Sequence, residues 1–275
     1  MKKLIPVLLA AVMLVGLASC AKKADEKVLR VGMECAYAPY NWTQSDDKNG
    51  AVKIADSPDY AYGYDVMMAK YIAEKIGYKL EVHKTDWTSI PLGVQAGTLD
   101  AGICGQSITD EHADILDFSV PYYYADIVFL VKSDSAFASA TGVSGFAGAK
   151  ITSQLGTIWY DQVLPRIEGV EVLPAMDDTA AMYVALESGA CDILLLDKPA
   201  AMAAVNAYPD MKIMDFTGSA DNVQVLDEEV NIGVSVKKGN ADLLKKINDA
   251  LATLTKDDYE RMMADAIKQQ PMSEG

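Results

Sequence analysis

The chain has 275 residues, 51% of them apolar, enough to bury the core of one or two domains. Lys and Arg number 24 against 39 Asp and Glu, a formal charge of 24 − 39 = −15, which argues against a nucleic-acid partner. With His83 and His112 as its two histidines, the chain has no basis for a His-rich metal site, and no cofactor is expected.

Residues 1–19 read as an export signal outside the fold. Lys2 and Lys3 precede an apolar run over 4–18 that is short for a membrane span. The run closes on Leu17-Ala18-Ser19-Cys20, which resembles the lipobox of bacterial lipoproteins, where the chain is cut before the cysteine and the thiol is lipidated. An ordinary secretory signal with a chance cysteine is the bland alternative. Removal of 1–19 leaves 22 − 39 = −17, with 20–27 as a polar tether. Cys35, Cys104 and Cys191 lack metal-ligand spacing, and their odd number leaves at least one thiol free. They read as small buried residues near strand ends. A Cys35–Cys104 disulfide stays open.

In chain order, 28–33 is an apolar strand that runs into Glu34-Cys35-Ala36-Tyr37-Ala38-Pro39. Residues 41–62 carry Ser, Asp, Asn, Gly and Pro with little periodicity and read as a long loop or a small hairpin insertion. An amphipathic helix over 63–77 places Val66, Ala69, Ile72 and Ile76 at three- and four-residue spacings and stops at Gly77. A strand over 78–82, a turn at Asp86-Trp87, a helix over 90–96 and a strand over 99–104 follow. This alternation argues for a parallel α/β sheet. After Gly105 come Ser107, Thr109 and the pair Asp110-Glu111, the signature of a strand end entering a capped helix. Such a corner offers free N–H groups and hydroxyls to an anion.

A strand over 126–132 and a small, polar stretch over 133–148 lead into a second alternation. It has strands over 149–153, 170–173, 192–196 and 212–216 and helices over 157–167, 179–188 and 199–207. A strand over 231–236 and helices over 241–254 and 257–268 close the chain. One internal echo joins the halves: 94–100 and 186–192 share an apolar residue, a Gly and an Asp at the same offsets. Two sheets facing each other at their carboxyl ends make a cleft.

No Gly-x-Ser-x-Gly elbow, phosphate loop or pair of His on one helix face is present, so no catalytic residue is assigned. Binding is better supported. Tyr37 and Trp87 follow strand ends and either clamp a ligand between rings or plug turns. Glu34 is either an acceptor for a ligand donor or a solvated loop carboxylate. Asp197, between an apolar strand and Pro199, is either a helix N-cap or a ligand contact.

Taken together, Glu34-x-x-Tyr37-x-Pro39-Tyr40, Gly63-Tyr64-Asp65-Val66, Asp86-Trp87, Gln95-x-Gly97-x-x-Asp100, Gly105-x-Ser107-Ile108-Thr109-x-Glu111, Asp117-Phe118-Ser119-x-Pro121-Tyr122, Gln154-x-Gly156-Thr157, Asp197-x-Pro199 and Gly233 to Gly239 resemble bacterial extracellular solute-binding proteins of family 3. These are the polar-amino-acid receptors of ABC importers. The resemblance runs from Val28 to Lys268. It implies a type II periplasmic-binding-protein fold, with two α/β lobes joined by a two-crossing hinge. The first lobe would be 28–121 plus 232–275, the second 127–225, and the crossings about 122–126 and 226–231.

By the same resemblance, Ser107 and Thr157 would bind a ligand α-carboxylate, and the Gly105 carbonyl with Asp197 the α-ammonium. Tyr37 and Trp87 would flank the side chain, Glu34 would meet its polar end, and Gln154 would line the second jaw. The protein would be a lipid-anchored monomer outside the cytoplasm, periplasmic where the envelope has two membranes. It would pass a small polar or basic amino acid, or a related amine, to a membrane permease. Relatives of the fold also include cyclohexadienyl (arogenate) dehydratases and ligand sensors. One departure stands out. Most relatives carry an Arg after Thr-x-Glu that pairs with the α-carboxylate; here that position is His112, and an imidazole is neither forked nor permanently charged.

Overall fold

A computed structural model describes residues 27–270; Cys20 and most of the tether lie outside them. β1 (Val28–Met33) is followed by four short strands, β2 (Ala36–Tyr37), β3 (Asn41–Gln44), β4 (Val52–Lys53) and β5 (Tyr60–Tyr62). They form an antiparallel sheet of order β2-β3-β5-β4. The expected loop or hairpin over 41–62 is therefore a sheet of its own. Strands of two to four residues broken by Ser, Asp and Pro show too little alternation to be read from sequence. Trp42 packs edge-on against its cross-strand partner Tyr62, ring centroids 5.3 Å apart, and holds β3 to β5.

α1 (Tyr64–Ile76) buries Val66, Ala69 and Ile72 and ends where Gly77 turns left-handed at φ 72°. β6 (Lys79–Lys84), α2 (Ile90–Ala96), β7 (Ala101–Gly102), α3 (Asp110–Ile115), β8 (Leu116–Phe118) and β9 (Tyr123–Tyr124) follow. The second alternation comprises β10 (Ile127–Lys132), β11 (Lys150–Thr152), β12 (Glu171–Val172), α4 (Thr179–Glu187), β13 (Ile193–Asp197), α5 (Lys198–Ala207) and β14 (Met211–Met214). The chain ends through α6 (Asp227–Val230), β15 (Asn231–Ile232), β16 (Ser235–Lys237), α7 (Ala241–Leu251) and α8 (Lys256–Gln269).

Two five-stranded sheets result, β6-β1-β7-β16-β8 and β12-β11-β13-β10-β14. Neither is wholly parallel, as the alternation had suggested. β16 runs antiparallel between β7 and β8, and β10 runs antiparallel between β13 and β14. Each sheet has its own apolar core. Leu29, Val31, Ile72, Val82 and Ile247 belong to the first, while Phe129, Ile151 and Leu195 occupy one face of the second. The chain passes between the lobes twice, and there β9 and β15 pair antiparallel, Tyr124 opposite Asn231. Arg166 of the second lobe grips Glu229 beside that crossing with a two-pronged ion pair, 3.0 and 2.5 Å.

The helix expected over 157–167 is instead a π-helical turn, Trp159–Val163, followed by a 3-10 turn, Leu164–Arg166. Pro165 explains the break, since it offers no N–H to an α-helical ladder. Cys35, Cys104 and Cys191 are buried free thiols, so the Cys35–Cys104 pairing is not made.

Candidate functional site

Four strand ends build the site. β1 delivers Glu34 to Tyr37 and β7 delivers residues 103–107 on the first lobe. β11 delivers 153–157 and β13 delivers Asp197 on the second. β1 and β7 are parallel neighbours, so their carboxyl ends emerge on one edge, where ligands collect in open α/β sheets. Gly105 has φ 71°, and a Cβ there would stand 2.9 Å from the Tyr37 ring. Only glycine lets this strand end turn so close beneath the aromatic.

Between the lobes lies a cleft lined by Tyr37, Trp87, Gly105, Ser107, Thr109 and His112 on one side and by Gln154, Gly156, Thr157, Ile158 and Trp159 on the other. Seven of the nine residues singled out in the sequence are among these. Glu34 and Asp197 stand one step behind, each reached through a lining residue. Gln154 Nε2 donates to Glu34 Oε1 at 3.3 Å, and the Tyr37 hydroxyl donates to Asp197 Oδ2. Tyr37 is thus more than a flanking ring. It stacks on Tyr40 at 4.8 Å and carries a polar contact to the opposite lobe.

Two further hydrogen bonds cross the cleft, Trp87 Nε1 to Gly156 O at 3.2 Å and Thr179 Oγ1 to Ala36 O at 3.2 Å. The space left between the walls is about 20 Å³, room for about one water molecule. That is less space than an amino acid occupies.

The electrostatics divide the cleft. Glu34 is 8% exposed; burial pushes its carboxyl up to about 7, with Asp178 and Asp86 adding to the rise and the Gln154 bond and Lys84 opposing it. Asp197 is wholly buried. Burial raises its carboxyl above the usual range, against the hydrogen bonds from Tyr37 and from Ala200 N. Asp197 Oδ1 caps α5 by accepting from Ala200 N at 2.9 Å, so the helix-cap role is made, while Oδ2 faces the first lobe through Tyr37.

Both walls offer neutral polar groups. Ser107 is 9% exposed and bridges antiparallel to Ile232. Thr109 caps α3, accepting from His112 N at 3.2 Å. The Thr157 hydroxyl donates to Gln154 O at 2.7 Å and accepts from Tyr160 N at 3.3 Å, closing its own turn. The His112 ring lines the cleft with Nδ1 buried and without a hydrogen-bond partner. Neither Lys nor Arg is among the lining residues.

Sequence reasoning missed Thr109, Gly156, Ile158 and Trp159 as lining residues. Thr109 was legible as a cap. Trp159 carried a usable signal, because it follows Thr157 by two positions and one turn presents both to the cleft. It is 7% exposed, and its ring also belongs to the core of the second lobe.

The model of the bacterial extracellular solute-binding proteins, family 3, matches residues 29–268, and the chain belongs to that family. Members act outside the cytoplasm as solute receptors, and the fold is that of type II binding proteins. Over 236 residues, 86% of this chain and 80% of the relative, it is 30% identical to the L-cystine-binding protein TcyJ of Escherichia coli (strain K12). It is 27% identical over 263 residues, 93% of this chain and 94% of the relative, to the lysine/arginine/ornithine-binding periplasmic protein of the same strain. Among solved structures it resembles an ancestral arginine-binding protein bound to glutamine. That match has a TM-score of 0.69 and 31% identity and covers 87% of this chain and 97% of the other.

Proposed function

We propose that the protein is the substrate-binding component of an ABC importer that captures a small polar or basic amino acid, or a related amine, between its lobes. The observation that carries this reading is the division of charge in the cleft. Two buried carboxylates, Glu34 and Asp197, stand directly behind the lining on opposite lobes, held by Gln154 and Tyr37, and the lining itself carries neutral donors and no fixed cation. A ligand with one ammonium group for Asp197 and a cationic or amide side chain for Glu34 leaves neither carboxylate buried unpaired. Its α-carboxylate would meet Ser107, Thr109, His112 and the turn at Thr157. The relatives named for cystine, lysine, arginine and ornithine bind solutes of this kind.

Capture involves no bond-making. Residues 28–121 plus 232–275 act as one jaw and 127–225 as the other, swinging about crossings near 122–126 and 226–231. Ligand contacts from both jaws favour the shut form. Cys20 carries a lipid that holds the monomer at the outer face of the cell membrane, where a permease receives the solute.

Titration calorimetry of the protein against L-arginine, L-lysine, L-ornithine, L-glutamine, L-cystine and the matching decarboxylated amines tests the reading. Micromolar or tighter binding of a basic or amide-bearing member is expected. Heat from none of them would sink it.

A further inference from the structure

Behind the floor of the cleft runs a chain of buried polar groups. Asp65, the second residue of α1, is wholly buried. Its Oδ1 accepts from the Tyr122 hydroxyl at 2.7 Å and its Oδ2 from Asn41 Nδ2 at 2.8 Å. Both partners pass the arrangement on. The Tyr122 oxygen accepts from Gly105 N at 3.2 Å, and Asn41 Oδ1 accepts from Cys35 N at 2.7 Å.

The two amides reached in this way are those of the site's own strand ends. Gly105 and Cys35 both sit in the left-handed region, at φ 71° and 55°, where an L-residue such as Cys35 is held only by its surroundings. Cys35 follows Glu34 directly, and Gly105 opens the corner that presents Ser107. The backbone of Tyr122 is fixed too: its carbonyl accepts from the Tyr64 hydroxyl at 2.8 Å, and its N–H donates to Ile232 O at 2.8 Å. Tyr122 adjoins β9, so the same chain reaches the first crossing.

The polarity of these bonds depends on a carboxylate. A group that accepts from both neighbours forces Tyr122 to point its hydrogen at α1 and leave a lone pair for Gly105. It also forces Asn41 to turn its NH₂ inward and its oxygen to Cys35. An amide at position 65 accepts once and donates once, so one end of the chain is left with two donors face to face. A buried carboxylate held by neutral donors is a costly way to fill a helix turn, so packing alone does not account for it.

We infer that Asp65 is the positioning residue of the first lobe's half of the site, setting the Cys35 and Gly105 amides, and with them Glu34 and Ser107, against the first crossing. Only the affinity arm of the test below rests on the proposed ligand class.

The test compares Asp65→Asn, Tyr122→Phe and the exchange Asn41→Asp with Asp65→Asn by site-resolved amide hydrogen exchange, with L-arginine titration as the second readout. Asp65→Asn is expected to lower protection at Cys35 or Gly105 at least tenfold relative to the amides of β10, and to weaken L-arginine binding at least tenfold. Tyr122→Phe should expose Gly105 and spare Cys35. The exchange rebuilds every hydrogen bond with the charge moved from α1 to β3, since a carboxylate at position 41 would accept from Cys35 N and from the new amide at position 65. It should return protection and affinity to within threefold of the parent. If Asp65→Asn does not fold, the folded exchange variant and Tyr122→Phe still decide. Protection that falls evenly over the whole chain, or an exchange variant that folds yet leaves Cys35 and Gly105 unprotected, overturns the inference. A parent that ignores L-arginine speaks against the ligand class, while the amide readout still stands.

Discussion

Tyr37 of the first lobe donates its phenolic hydrogen to Asp197 Oδ2 of the second, while Asp197 Oδ1 holds the amino end of α5 through Ala200 N at 2.9 Å. The carboxylate that would receive a ligand ammonium is thus already the meeting point of both jaws and a helix cap. Asp197→Asn keeps the shape and an acceptor for Ala200 N, and its NH₂ can donate to the Tyr37 oxygen. It removes the buried charge. The ligand-free melting temperature near pH 7 should hold or rise, because no ion is desolvated. Affinity for a basic amino acid should fall at least tenfold, the low end of about 1.5–3 kcal/mol for a charged hydrogen bond. Calorimetry and thermal melts on one preparation check both halves.

Glu34 makes stability depend on pH with a sign opposite to that of a salt-bridged carboxylate. Its carboxyl stands near 7 in the folded chain against an ordinary 4.5, so between those values the folded state holds the extra proton. The stabilisation is full below about 4.5 and is lost as pH rises through about 7, with an upper bound of about 3 kcal/mol. Asp65, raised to about 6, adds a loss of the same sign at lower pH. The melting temperature should therefore decline from pH 5 to pH 8, and Glu34→Gln should flatten the upper part of that decline. A slope unchanged in Glu34→Gln would place the titrating group elsewhere.

The same group ties proton release to capture. A cationic side chain beside Glu34 favours its ionised form, so L-lysine or L-arginine binding at pH 6 should expel a fraction of a proton, and at pH 8.5 almost none. Titrations in two buffers of different ionisation enthalpy measure it. Glu34→Gln should abolish the difference.

His112 lines the cleft with Nδ1 buried and without a hydrogen-bond partner. A guanidinium in its place would bring a fixed, forked cation to the cleft lining. His112→Arg should tighten L-lysine at least fivefold and leave cadaverine, which has no carboxylate, unchanged or weaker. A gain for cadaverine equal to that for L-lysine would show that position 112 does not face a carboxylate.

Of the three tryptophans, Trp87 and Trp159 line the cleft, while Trp42 packs on Tyr62 in the small sheet. Ligand-induced change in indole emission should persist in Trp42→Phe and shrink in Trp87→Phe and in Trp159→Phe. Trp87→Phe also loses the 3.2 Å bond to Gly156 O, so ligand should leave it faster, which stopped-flow dilution measures.

Helices with one clean apolar face were readable. α1 was legible because its spacing and its Gly77 stop agree, and α7 because Leu243, Ile247 and Leu251 recur every four residues. The small sheet was not, since its strands are only two to four residues long and its central pair joins residues up to about twenty positions apart, such as Trp42 with Tyr62. The π-helical turn after Thr157 escaped for a local reason: the apolar spacing continues through Pro165, and only the missing N–H breaks it. In the site, residue types and strand ends pointed to Ser107 and Asp197, while Thr157 came only through the family resemblance. That Tyr37 bonds to Asp197 depends on how far apart the jaws stand, which no spacing along the chain encodes. Asp65 was quoted as part of a motif without a role, because its meaning lies in the direction of four hydrogen bonds rather than in its neighbours in sequence.

The placement of β16 bears on how the chain comes to be folded at all. This strand, residues Ser235–Lys237, lies between β7 and β8 and is hydrogen-bonded to both. Everything needed for the second sheet, β10 through β14, is complete about twenty residues before it emerges. A chain appearing from its amino end can therefore finish the inserted lobe while the lobe that encloses it still has a gap in its middle, with β8 unpaired beside β7. The first lobe is therefore expected to close last, through long-range pairing, the slow kind. A truncation at residue 234 should leave β8 without its partner and the first lobe open to proteolysis, with the second lobe still protected.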